Sequence, residues 1–174
     1  MSILSTSFIM HGCQKKLMKR AEANDPVAMT QLGLMLIEKG EYEEAFEYFT
    51  KAIELGNMDA HYCLALMYHC GHGVAKDEKK EIYHLEEAAI GGHVEARYKL
   101  GKYEGANRSY DRATKHLIIA ANMGHDESLG LLKKHYANEF VAKEDFASAL
   151  RTHHAAVKAT KSPLREEAEA AKRC

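Results

Sequence analysis

The sequence predicts an all-α protein built as an array of about four helix-turn-helix units, and three observations carry that prediction. Small residues recur in register: Ala28, Ala60, Ala96 and Ser128 stand 32, 36 and 32 residues apart. Four residues after each comes Leu32-Gly33, Leu64-Ala65, Leu100-Gly101 or Leu132-Lys133. A period in this range is the mark of stacked repeats. A second register follows in the other half of each unit. Ala52, Ala88, Ala120 and Ala156 align there, with Gly56, Gly92 and Gly124 behind them, where a helix would end in the left-handed conformation. The third observation is composition: two prolines among 174 residues and an abundance of Ala, Leu, Glu and Lys favour helix throughout.

Residues 1–23 form a lead-in. Residues 1–13 lack a basic start and Ser5-Thr6-Ser7 interrupts their apolar run, so no secretory signal is expected. Gln14–Ala23 reads as a short helix carrying Lys15, Lys16, Lys19 and Arg20, a solvated covering face before it is a dock for an acidic partner. The array takes residues 24–160, in units of about 25–56, 57–92, 93–124 and 125–160. Asp25 is an N-cap and Pro26 suits the first helical position, with Asn57, His93 and His125 at the matching caps. In the second helices Ala45, Ala113 and Ala149 match, with Glu81 the exception, and Phe49, Leu85, Leu117 and His153 share the next inward position. The turns differ: Glu38-Lys39-Gly40-Glu41, then Gly71-His72-Gly73-Val74, then Glu104-Gly105-Ala106-Asn107-Arg108, then Phe140 through Asp145. Ser162-Pro163 should stop the last repeat helix, leaving residues 161–174 as a capping helix or tail with the pair Glu169 and Arg173. Gly33, Ala65 and Gly101 let the paired helices approach, and no unit can bury its apolar faces alone, so stacking must supply the core.

Charge and cysteine usage exclude several classes. Lys and Arg number 24 against 25 Asp and Glu, without the basic excess of a nucleic-acid binder. No apolar run approaches the roughly 20 residues needed to span a membrane. Cys63 and Cys70 lie about 10 Å apart along one helix, beyond the roughly 7 Å a disulfide allows. With Cys13 and Cys174 they form no visible disulfide framework, so a reducing, cytoplasmic location is expected.

The pattern A-x-x-x-L-G, then G-x-G-V-x-K-D, then A-A-x-x-G-H resembles the Sel1-like repeats, close relatives of the tetratricopeptide repeats. Ala60, Leu64, Gly71, Gly73, Val74, Lys76, Asp77, Ala88, Ala89, Gly92 and His93 carry it most fully. The resemblance covers roughly residues 24–160 and implies a right-handed α-α superhelix acting as a non-enzymatic adaptor for a peptide or protein segment. The stretch from Lys143 to Lys172 is also similar to Sel1 arrays that follow a RING-type zinc finger. The lead-in here offers only His11 and Cys13, too few for such a finger, so that likeness implies the partner-binding half without ligase activity.

For a site, the histidines and cysteines of Ala60–His93 are the first candidates. Zinc needs ligands converging at about 2.0–2.3 Å. His61 and His69 lie two turns apart, and His69, Cys70 and His72 lack an evident fourth partner. His84 aligns with His116, and His93 with His125, which is structural placement. The Gly71-x-Gly73 turn joins two helices, outside the strand-to-helix context of a phosphate loop. No catalytic residue, metal or cofactor is therefore expected, nor nucleic acid or membrane. The resemblance places the first helices on a concave groove. Its groove-facing positions are Val27, Thr30, Leu34, Asp59, Tyr62, Leu66, His69, Glu95, Tyr98, Lys102 and Lys134, of which Thr30, Leu34, Tyr62, His69, Tyr98, Lys102 and Lys134 are the expected partner-binding residues. Tyr62 and Tyr98 would form an aromatic strip, and Lys102, Lys133 and Lys134 would meet acid groups. The plain alternative is that Leu34, Leu66 and Tyr62 fill gaps between helices. Weak self-association through a lateral surface is the second functional expectation.

Overall fold

The computed structural model describes residues 15–171, with side chains through residue 160. His11 and Cys13 of the lead-in, together with Gln14 and Cys174, lie outside the described residues, as do the side chains of Glu169 and Arg173. Residues 15–22 are helical (α1) and are followed by α2 (Pro26–Lys39), α3 (Tyr42–Glu54), α4 (Asp59–Cys70) and α5 (Glu78–Ile90). These belong to a first compact unit ending at His93. A second unit starting at Val94 holds α6 (Val94–Ala106), α7 (Tyr110–Asn122), α8 (Asp126–Ala137) and α9 (Lys143–Ala171). Among the described residues no strand occurs.

In the first unit, α2 packs on α3 and α4 on α5. Asp25 starts α2: one carboxylate oxygen accepts the amides of Val27 and Ala28 at 3.0 and 3.1 Å, and the other takes the Arg20 guanidinium at 2.7 Å. Those amide bonds and the arginine hold the Asp25 carboxyl below its usual range. Leu32, Phe49, Ala52, Ala60, Leu64 and Met67 form the core. Gly33 makes the α2–α3 approach possible, because a Cβ there would stand 2.5 Å from Cε1 of the fully buried Phe49. The Gly71-His72-Gly73 turn docks on the start of α3. His72 stacks on Tyr42 at 4.5 Å, and a Cβ on Gly73, at φ +67°, would meet Tyr42 Cβ at 2.8 Å.

In the second unit α7 packs on both α6 and α8, and α9 lies against α7 as well as α8. Leu117, Leu132, Val141 and Ala149 form a core cluster. Gly101 repeats the Gly33 device, with Leu117 2.9 Å from its virtual Cβ. The inward register holds across all four pairs, since Phe49, Leu85, Leu117 and His153 are all buried.

Four boundaries differ from the sequence reading: the first turn starts at Gly40, because α2 runs through Glu38 and Lys39. The α6–α7 turn begins at Asn107, not Glu104: Glu104 is buried inside α6 and held by Arg112 of α7 at 2.7 Å, so the helix runs on to Ala106. The last turn is likewise shorter, because α9 already starts at Lys143. Ser162-Pro163 does not stop α9, which continues to Ala171. A proline inside a helix lacks the N–H for one backbone hydrogen bond and costs on the order of 3 kcal/mol, and strong helix formers on both sides carry the backbone through it.

Candidate interaction surface

The expected groove residues divide between the two units. In the first, Val27 and Leu34 stand outward on α2, each about half exposed at 49% and 48%. Thr30, between them, is buried, and its hydroxyl donates to the Pro26 carbonyl at 3.0 Å. It belongs to the packing of α2 rather than to an open surface. On α4, Asp59 is exposed and Leu66 half-buried. Tyr62 is also half-buried, its ring stacked on His93 at 4.1 Å with 21° between planes. His69 is exposed, with Nδ1 2.9 Å from the Glu81 carboxylate.

The second unit repeats the tyrosine-on-histidine contact. Tyr98 of α6 lies 4.9 Å from His125, whose Nδ1 accepts the Ser128 amide at 3.1 Å and so caps α8. That acceptor role leaves the proton on Nε2, which is donated to Glu95 at 2.7 Å. Lys102 holds its ammonium 5.6 Å from the Tyr98 ring centroid, a cation–π contact on the open face. Lys133 and Lys134 are exposed on α8, as is Gly130, beside which a Cβ would meet nothing within 4 Å. Each tyrosine of the expected aromatic strip thus covers one face with a histidine, His93 in the first unit and the α8 cap His125 in the second. What stands outward is Val27, Leu34, Asp59 and His69 in one unit and Lys102, Lys133 and Lys134 in the other.

Three features escaped sequence reading. His61 and His84 face each other across the α4–α5 hairpin, Nδ1 to Nδ1 at 2.9 Å. Burial first, then His61 and Lys80, push the His84 ring down to about 4, and burial lowers His61 against the pull of Glu87. The repeat register placed His84 at a half-buried position but gave no sign of its partner. Second, Glu104 is buried within α6 and paired with Arg112, where the sequence reads a turn. Third, a cleft of about 500 Å³ opens between the α6–α7 and α8–α9 turns, lined by Arg108, Tyr110, Arg112, Glu139 and Phe140, with the two aromatic rings stacked at 3.9 Å.

Burial, and after it Asp59, push the Cys63 thiol up to about 12, so it is not a thiolate at neutral pH. Among the described residues no three His, Cys, Asp or Glu side chains converge to hold a metal ion, and no helix is long and apolar enough to cross a membrane.

Comparison with known proteins follows the helix pairs. Residues 26–57 match the tetratricopeptide repeat model, and residues 59–93 and 94–125 match the Sel1 repeat model; together these cover more than half of the chain. The chain is 31% identical over 107 residues to a Schizosaccharomyces pombe protein named as an ERAD-associated E3 ubiquitin-protein ligase component. The match takes 59% of this chain but 15% of that protein. A crystal structure of a Sel1 repeat protein from Oxalobacter formigenes superposes with a TM-score of 0.70 at 27% identity, over 81% of this chain and 62% of that one. The protective antigen c5321 of uropathogenic Escherichia coli, with the SLR fold, gives a TM-score of 0.64 at 22% identity, over 83% and 32% of the respective chains. The fold class is therefore the all-α helical-repeat superhelix.

Proposed function

We propose, from the premise that this chain belongs to the Sel1-like repeat family with a tetratricopeptide-like first unit, that it is a non-catalytic adaptor whose first helices bind a segment of another protein. Sel1 and tetratricopeptide repeats serve in general as protein interaction scaffolds. The observation that supports the reading here is the character of the outward first-helix residues. On α2, Val27 and Leu34 are exposed apolar side chains. On α6 and α8, Lys102 and Lys134 occupy equivalent positions, and no lysine of either helix forms an ion pair among the described residues. Within the first unit the exposed Val27 and Leu34 suit apolar contacts, and within the second Lys102 and Lys134 suit acidic residues of a partner. Binding in a reducing cytoplasmic compartment is part of this reading, as is the division into units at about 25–56, 57–92, 93–124 and 125–160. Tyr62 and Tyr98 then act as supports for His93 and His125 rather than as free anchors.

A quantitative pull-down from the native cell tests it. Leu34→Asp and the double change Lys102→Glu with Lys134→Glu should each lower capture of the same partner at least about tenfold, with the helical circular dichroism unchanged. Undiminished capture by both would refute the first-helix reading. Self-assembly is the second reading, favoured by the exposed apolar residues Leu55, Met58 and Ile90 of the first unit, of which Ile90 is 73% exposed. Sedimentation of the pure protein separates the two, since self-assembly depends on concentration without any partner.

A further inference from the structure

The α4–α5 pair carries a contact that the other three pairs replace. The same two register positions hold Met29 and Tyr48 in the first pair, His61 and His84 in the second, Arg97 and His116 in the third, and Leu129 and Thr152 in the fourth. In the second pair the two rings meet at 5.2 Å between centroids with their Nδ1 atoms 2.9 Å apart. Two Nδ1 atoms at that distance bond only when one carries a proton and the other a lone pair. One added proton is tolerated, because an imidazolium still donates to a neutral imidazole. A second proton sets two N–H groups and two positive charges against each other, and burial of His61, 5% exposed, weakens the solvent screening between them.

The surroundings favour the neutral pair. Tyr68 of α4 stacks flat on His84 at 5.6 Å, with Lys80 of α5 poised 5.2 Å over the Tyr68 ring. Tyr83 of α5 packs edge-on against His61, and Glu87 of α5 is the one carboxylate that draws a proton toward it. His69 and Glu81 satisfy each other elsewhere along the hairpin. From α3, which also packs on α4, the group that reaches the cluster is the uncharged ring of Phe46 against Tyr68.

We propose that His61 and His84 form an acid-operated latch on the α4–α5 hairpin, closed while the pair holds at most one proton and opened by the second. The sign follows from linkage. In an opened hairpin both rings bind protons near their ordinary value of about 6.5, whereas the closed pair resists. The open form therefore holds more protons, and its population rises up to about tenfold per pH unit for each extra proton. The stability that the latch protects is intact above about pH 6.5 and is lost as pH falls toward about 4. The latch sits on the helix that carries Tyr62 and His69, so acid would also undo that part of the surface proposed above, although the latch itself does not depend on that reading.

Amide hydrogen exchange of the full chain, corrected for intrinsic rates, tests it at about pH 7 and about pH 5. Wild-type protection in α4 and α5 should fall at least about tenfold between the two conditions. His84→Phe keeps a ring on Tyr68 but binds no proton, and should lose most of that fall. His61→Gln keeps a donor for His84 without a second charge, should show a smaller fall than wild type, and decides the matter if His84→Phe does not fold. No fall in wild type, or an equal fall in the folded variants, overturns the latch.

Discussion

Changing Gly33 to Ala and Gly130 to Ala introduces one methyl group into a helix interior twice, with opposite expected signs. At Gly33 the new Cβ would stand 2.5, 2.8 and 2.9 Å from three carbons of the Phe49 ring. Carbon atoms prefer about 3.5–4.0 Å, so the overlap is about 1 Å. Phe49 has no exposed surface into which to swing, so α2 and α3 must separate. Overpacking of this kind costs about 1–3 kcal/mol, against which removing a helix-interior glycine returns about 0.5–1 kcal/mol. The net expectation is a loss of about 1–2 kcal/mol. At Gly130 nothing lies within 4 Å of the new methyl, so only the backbone gain of about 0.5–1 kcal/mol remains. Urea unfolding followed by circular dichroism reads both as midpoint shifts at constant slope. A Gly33→Ala protein as stable as the parent, or a destabilised Gly130→Ala protein, would refute the helix-approach account.

Other perturbations read separate parts of the structure. Gly101→Leu should overpack against Leu117, whose nearest carbons lie 2.9 Å from the virtual Cβ, and cost about 1–3 kcal/mol by thermal melting. Gly73→Ala combines a left-handed φ with a clash against the Tyr42 backbone, and should cost about 2 kcal/mol or more in urea. Arg112→Met leaves the buried Glu104 carboxylate unpaired and should cost about 1–2 kcal/mol, a figure reduced for the exposure of the arginine. Glu104→Leu restores the apolar residue type found at Leu36 and should cost less than Arg112→Met in the same assay. A thiolate-directed reagent at about pH 8 should label the exposed Cys70 more than about a hundredfold faster than Cys63, whose thiol is pushed up to about 12. Equal rates would place Cys63 at the surface.

The sequence made the fold legible because steric constraint leaves residue-type traces. A small residue opposite a large buried one, as at Gly33 with Phe49 or Gly101 with Leu117, must recur wherever two helices meet closely. Caps such as Asp25 and left-handed glycines such as Gly124 are read from single positions for the same reason. Boundaries failed where a neighbour overrode a local preference. Glu104 looks like a turn residue until Arg112 is seen to hold it inside α6, and Pro163 looks like a stop until strong helix formers extend α9 past it. The surface was less legible. Register shows which positions sit on a first helix, but whether Thr30 is covered and Lys102 open depends on rotation of a few tens of degrees, which spacing alone does not fix. The His61–His84 contact pairs two residues on different helices, and each looks ordinary within its own helix.

The central claim is that the first helices, rather than the second, carry the contacts to a partner protein. Site-specific photo-crosslinking in the native cell tests it most directly, with the reactive group placed in turn at Leu34 and Lys134 on first helices and at Lys51 and Lys158 on second helices. Discrete protein adducts at Leu34 and Lys134, and none at Lys51 and Lys158, are the predicted result. Adducts confined to Lys51 and Lys158, or none at any of the four positions, would contradict it.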